Sequence, residues 1–241
     1  MTDLIDEPQF VPYQQYLSSV KLIEDFAEQS RFCYQITQRF MQEPAEVPAE
    51  DDVFSRTADV LNTSCFLMEW MFFEAFLKNT IYVLLHQYPN KLAANSPDML
   101  LNYREISQAT HAFSAIDQLR NQLIIGEIER SELHSQSIHG LIDYVRRVFR
   151  FQLNPYEIEY LYKGQKNTTS PRDLDDIRAM HKSITADMIV EGDPSGIPGF
   201  PGIHQHRATI NEDAYLRAKA ILNTTAATIA DVIVNNWYDP D

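Results

Sequence analysis

Residues 65–85 read CFLMEWMFFEAFLKNTIYVLL. Apolar side chains occupy almost every position, so a helix formed here is apolar nearly all round. Three charges interrupt the run: Glu69, Glu74 and Lys78. Membrane spans rarely hold three charges at that depth. The stretch therefore predicts the central helix of a globular fold. On a helical wheel Glu69 falls among Phe66, Phe72, Phe73 and Phe76, which makes it a candidate buried carboxylate. Such groups commonly hydrogen-bond a neighbouring helix. A smaller number are functional, because burial shifts their pKa.

Working outward, helical periodicity continues on both sides. Before the central helix, Tyr13 to Met41 reads as one long helix, with Tyr16, Val20, Ile23, Phe26 and Ala27 spaced for a single face. The stretch EPAEVPAEDD, Glu43 to Asp52, breaks it with two prolines and a run of acid. The central helix itself extends from about Val53 to Tyr88 and stops before Pro89. Pro97 opens a further helix with Met99, Leu100 and Tyr103 on its apolar side. Segments at Ala109 to Glu129, Ser131 to Phe151 and Pro155 to Lys163 follow, and KGQKNTTSP reads as a polar loop. Ser170 or Asp173 caps a helix running to Val190, and Asn211 caps a last helix from Glu212 to about Trp237. No strand–turn–strand pattern and no repeat is visible. The expected fold class is all-α, a helical bundle. It has two long N-terminal helices, a buried central helix and a Gly/Pro-rich loop before the C-terminal helix. The expected organisation is a single domain over 1–241. Residues 1–52 supply the first helix and the acidic linker, and 53–237 supply the bundle.

The chain has 241 residues, 44% of them hydrophobic and 22% charged, a globular composition able to bury a full core. Two cysteines, Cys33 and Cys65, make neither a disulfide framework nor a CxxC metal site, which suggests a reducing compartment. The N-terminus MTDLIDEPQF is acidic and shows no signal-peptide run. The expected location is the cytoplasm, with no membrane association. The net charge of −14 disfavours non-specific binding to phosphate backbones. The charge is uneven. From Tyr144 to Lys182, eight basic residues face five acidic ones, leaving +3. That window reads as a solvated helix face or as a local polyanion-facing patch.

Several chemistries have no motif here. The sequence lacks GxxxxGK[ST], HExxH and GxSxG, and none of its histidines follows a glutamate at i+3 as a four-helix di-iron site requires. No cofactor and no metal is expected. His86, His134 and His139 read as structural.

One stretch differs from the rest: EGDPSGIPGFPGIHQHRATINEDAY, Glu191 to Tyr215. It holds four of the seven glycines, three of the twelve prolines and two of the seven histidines. Proline restricts φ while glycine permits unusual turns, so this composition describes a shaped loop. His204 and His206 flank Gln205 and point the same way if the segment is extended.

Two strings, HRATINEDAY and MEWMFFEAFLKNTIYVLLHQYPNKL, together resemble the HEPN (higher eukaryotes and prokaryotes nucleotide-binding) superfamily. Members are all-α bundles of about this size. Many are dimeric, metal-independent endoribonucleases of toxin–antitoxin or phage-defence systems. Their signature is an Arg, a polar residue, a few variable residues and a His just before the last helix. Aligned on that helix, His206 takes the place of the family histidine, while Pro201 and Gly202 stand where Arg and the polar residue belong. The motif is thus degenerate. The resemblance implies a homodimer, with His206 as the base that takes a 2′-hydroxyl proton. His204, Arg207 and Arg178 would assist, the arginines stabilising phosphorane charge. On this reading the loop is an insertion where the fold keeps its active-site histidine. The sequence leaves two function classes open: an endoribonuclease or its degenerate relative acting on RNA, and a non-enzymatic all-α protein that dimerises or binds a partner protein.

Overall fold

A computed structural model describes residues 10–41, 51–88, 112–135, 138–150, 157–189 and 209–237. The described elements are α1 (Val11–Met41), α2 (Asp51–Gln87), α3 (Ala112–Ser135), α4 (Ile138–Phe149), β1 (Glu159–Tyr162), β2 (Gln165–Thr168), α5 (Pro171–Ile189) and α6 (Glu212–Trp237). The fold is all-α with one small hairpin. The helix expected to open at Pro97 and the Gly/Pro-rich loop lie outside the described residues.

Two compact units emerge, one of residues 13–73 and 155–228, the other of residues 1–12, 74–154 and 229–241. The continuous helices α2 and α6 contribute to both. In the first unit the α1 residues Tyr16, Val20, Ile23 and Ala27 are buried together with Cys65, Phe66, Trp70 and Phe73 of α2. Leu174, Ile177 and Ile184 of α5 and Tyr215, Ala218, Ile221 and Leu222 of α6 complete this core. Their 3- and 4-residue spacings are the helical face that the sequence displays. Phe26 departs from expectation. It sits 100° round the helix from Ala27 and is 46% exposed.

In the second unit, Phe76, Leu77, Ile81, Leu84 and Leu85 of α2 are buried with residues of α3, α4 and the end of α6, including Ile124, Ile142 and Ile233. Polar ties fix the helix pairs. Tyr82 donates to Asn121 at 2.9 Å, and Arg120 donates to the His86 carbonyl at 2.5 Å. The buried Glu127 accepts from Tyr144 at 3.3 Å. The segment Ala58–Gln87 of α2 is long and apolar enough to cross a membrane by length and composition. Phe66, Phe73, Phe76, Leu77 and Ile81 are nevertheless buried within the fold.

The hairpin corrects the expectation of a helix over Pro155 to Lys163 followed by a loop. Glu159–Tyr162 pairs antiparallel with Gln165–Thr168, and Tyr162 stands opposite Gln165. Both turn residues have positive φ, Lys163 at 51° and Gly164 at 72°. That is the type I′ geometry whose twist matches the flanking strands. Thr169 closes the open end. Its N–H donates to the Ile158 carbonyl at 2.8 Å, and its hydroxyl accepts from the Ile158 N–H at 3.0 Å.

The caps of α5 and α6 follow the sequence. Ser170 precedes Pro171, the first residue of α5, and Asp173 reaches back to accept from the Ser170 N–H and hydroxyl, both at 2.7 Å. Asn211 accepts from the Ala214 N–H at 2.9 Å and caps α6. Just before it, the Ile210 N–H donates to the Thr63 hydroxyl at 3.1 Å, which ties the start of α6 to α2.

Candidate functional site

Helix periodicity places Glu69 among aromatic residues, and the structure buries it completely, at 0% exposure. Among the described residues, neither of its carboxylate oxygens has a hydrogen-bond partner. Its nearest countercharge is Lys219 of α6, with Nζ 3.9 Å from Oε1. Lys219 is committed elsewhere, donating to Glu24 of α1 at 2.7 Å. Three helices of one unit thus bring two carboxylates to one ammonium. Burial raises the Glu69 pKa from 4.5 to about 7, partly offset by Lys219 and reinforced by the negative charge of Glu24. Glu69 thus changes charge near neutral pH.

Neighbouring hydroxyl and thiol groups respond to the same environment. The Tyr16 phenol donates to Asn223 Oδ1 at 2.5 Å, and burial, with Glu69 nearby, pushes its pKa up. Burial and Glu69 likewise raise Tyr215, and burial raises the Cys65 thiol. Each of these groups therefore stays protonated at neutral pH. Among them, Glu69 is the group poised to exchange a proton.

A pocket of about 510 Å³ opens between α1 and α6 in front of this cluster. Its walls are Glu24, Ala27, Glu28, Arg31, Phe32 and Gln35 from α1, and Tyr215, Leu216 and Lys219 from α6. The spacings explain the groove. The α1 residues fall at i, i+3, i+4, i+7, i+8 and i+11, one face, and Tyr215 and Lys219 lie one turn apart on α6. Two ion pairs bridge the helices. Lys219 meets Glu24 at one level, and Arg31 meets Glu212 at 3.5 Å at the other. The lining mixes Ala27, Phe32, Tyr215 and Leu216 with charged and polar side chains, and Glu28 contributes a carboxylate without an ion pair among the described residues. The volume lies in the range of small-molecule sites.

His204, His206 and Arg207 lie outside the described residues. Arg178 is half-buried on α5. Among the described residues no group of three or more His, Cys, Asp or Glu is arranged to hold a metal. His181 of α5 stacks on Trp70, with ring centroids 4.7 Å apart and planes at 16°. Burial lowers its pKa, so it acts as a flat apolar body.

Three of the eight basic residues of the 144–182 window are paired with carboxylates. Lys163 pairs with Asp213, which also accepts from Tyr162. Lys166 lies 3.8 Å from Glu159, and Arg172 lies 3.8 Å from Asp176.

Sequence reading isolated Glu69 but missed Glu24, Arg31, Tyr215 and Lys219. One signal was present. In AYLRAKAIL, Lys219 follows Tyr215 and Ala218 on the buried stripe of α6, an unusual place for an ammonium. No protein family model matches the chain, and neither curated proteins nor solved structures give a match.

Proposed function

We propose that this chain is a small-molecule-binding all-α protein whose receptor site is the α1–α6 groove. One observation carries the reading: Glu69 is fully buried, 3.9 Å from the groove residue Lys219, with no hydrogen bond to either oxygen among the described residues. A buried carboxylate in that state costs several kcal/mol in an interior selected for stability alone. An accessible pocket beside it gives a use for a group that changes charge near neutral pH. The test is a thermal-shift series with small amines, carboxylates and phosphates on the wild type and on Leu216→Trp, which fills the groove from an exposed position. Stabilisation of the wild type alone by at least one class supports the site. Equal shifts in both proteins, or none in either, overturn it.

Self-association is a second reading, favoured by a separate face of α1. Leu22, Phe26, Gln29, Cys33 and Ile36 are exposed there and repeat at 4-3-4-3 spacing, the register of a coiled-coil seam. A second copy of the chain supplies a helix of matching period, and a two-fold contact requires this one surface alone. Light scattering tests it. The expected mass is twice 27.9 kDa, falling to one chain in Phe26→Asp. A monomeric wild type at all concentrations sinks it.

The ribonuclease reading drawn from the HEPN resemblance is the competing outcome. It requires cleavage of RNA in EDTA by the wild type and its loss in His206→Ala. That result would put the working site on the loop and not in the groove.

A further inference from the structure

The charges around the groove narrow what it takes. Four carboxylates (Glu24, Glu28, Glu69 and Glu212) face two cations, Arg31 and Lys219, so the site carries −2 when all are ionised. Both cations are already paired within the site, at 3.5 Å and 2.7 Å. An incoming anion would have to break an ion pair and enter a negative field. An incoming cation meets Glu28 unopposed, and beside it Glu24 on the next helical position of the same wall.

Resting on the reading of this groove as a binding site, we propose that its ligand is an aliphatic amine. The alkylammonium head lies between Glu24 and Glu28, and the hydrocarbon body lies on Ala27, Phe32, Tyr215 and Leu216. A cation at Glu24 competes with Lys219 for that carboxylate. Lys219 Nζ is already 3.9 Å from Glu69 Oε1, so a small rotation of its flexible side chain moves its charge toward Glu69. Glu69 then gives up its proton to solvent and becomes the countercharge of Lys219. The balance closes: one ammonium enters, and one proton leaves from the fraction of Glu69 that was protonated.

The other groups facing Glu69 do not compete for this exchange. Tyr16 from α1, Tyr215 from α6 and Cys65 on its own helix all keep their protons, because burial raises each of them. Glu24 from α1 is the acid that the ligand covers.

The experiment is calorimetry at pH 7 with hexylammonium, hexanoate and hexanol, which share one hydrocarbon body and differ in charge. Two buffers of different ionisation enthalpy report protons released. Hexylammonium is expected to bind the wild type with release of a fraction of a proton, drawn from the protonated share of Glu69. Glu28→Gln and Glu24→Gln each weaken binding roughly tenfold by removing a charge-assisted contact. Glu69→Gln binds hexylammonium without releasing a proton, which a purely structural Glu69 would not bring about. Binding of hexanoate or hexanol as tight as that of hexylammonium, blocked by Leu216→Trp, overturns the amine assignment while the groove stands. Hexylammonium binding with no proton release in the wild type overturns the exchange at Glu69. Absence of binding by all three compounds overturns the amine assignment, and the groove reading then depends on its own thermal-shift series.

Discussion

Lys219 donates to Glu24 across 2.7 Å and stops 3.9 Å short of Glu69, so one ammonium is shared unequally between an exposed carboxylate and a fully buried one. The exposed partner has water to solvate it and needs Lys219 less. The buried one has no hydrogen bond and responds by holding its proton. Unequal sharing is what makes the cluster sensitive to pH and to anything that touches Glu24.

The first consequence is a stability profile. Glu69 has a folded pKa of about 7 against 4.5 ordinarily. Between those two values the native state binds more protons than the unfolded chain, so stability falls as pH rises. The contribution is fully present below about pH 4.5 and lost above pH 7, in total about 3 kcal/mol. Glu69→Gln has no such proton to lose. Urea unfolding at pH 5 and pH 8 should show the wild type losing about 2.5 kcal/mol more than Glu69→Gln over that interval. Parallel profiles for the two proteins would refute the raised pKa.

Removing the shared ammonium tests the same cluster from the other side. Lys219→Met leaves Glu69 buried without a countercharge. At pH 8, where Glu69 is ionised, the loss should approach the roughly 3–5 kcal/mol of a broken buried pair. At pH 5 the loss shrinks, because a protonated Glu69 has no charge to strand. Combining Lys219→Met with Glu69→Gln should recover most of the pH 8 loss, a coupling that a double-mutant cycle reads directly. Additive losses would mean that Lys219 acts through Glu24 alone.

Much of the frame was legible in the residues, and the reasons are particular. The run from Cys65 to Leu85 is apolar on nearly every side of a helix, so the burial of Phe66, Phe73, Phe76 and Leu77 could be read directly. Ser170, Pro171 and Asn211 mark helix starts by local hydrogen-bond chemistry that depends on nothing distant. The hairpin escaped because KGQKNT has a single β-branched residue, Thr168, and none of the apolar alternation of a strand. Its signal was Lys163-Gly164, a two-residue turn with the glycine where positive φ is needed. The groove escaped for a different reason. Glu24 and Lys219 are 195 residues apart, and their meeting depends on how α1 and α6 pack, which no local pattern encodes. Glu69 was visible as an anomaly, but its partner was not.

Asp173 ties the start of α5 to α6. It accepts two bonds from Ser170 at 2.7 Å and one from Arg217 at 2.5 Å, and it is 8% exposed. Asp173→Ala removes the cap and leaves the Ser170 N–H without its acceptor. The expected cost is about 2 kcal/mol, at the upper end for an N-terminal cap because the site is buried. Asp173→Asn, which keeps an acceptor oxygen, should lose less than Asp173→Ala. Chemical denaturation of the two variants checks the order. Equal losses in the two variants would make the Arg217 charge pair the dominant contact.

The turn of the hairpin gives the most local test. Gly164 sits at φ 72°, and a Cβ added there meets no heavy atom within 4 Å. Any penalty for Gly164→Ala is therefore backbone strain and not a clash with neighbours. An L-residue in the left-handed region costs roughly 1–2 kcal/mol. For a chain of this length that corresponds to a fall in Tm of about 2–8 °C. Asparagine tolerates positive φ, so Gly164→Asn should recover much of the loss. The distinction reaches beyond the turn, because Tyr162 and Lys163 both bond Asp213 in the first turn of α6. A turn that opens releases those contacts together, and exchange of the Tyr162 and Gln165 amides should accelerate in Gly164→Ala but not in Gly164→Asn. Equal Tm values and equal exchange in all three proteins would show that the hairpin does not depend on its type I′ turn.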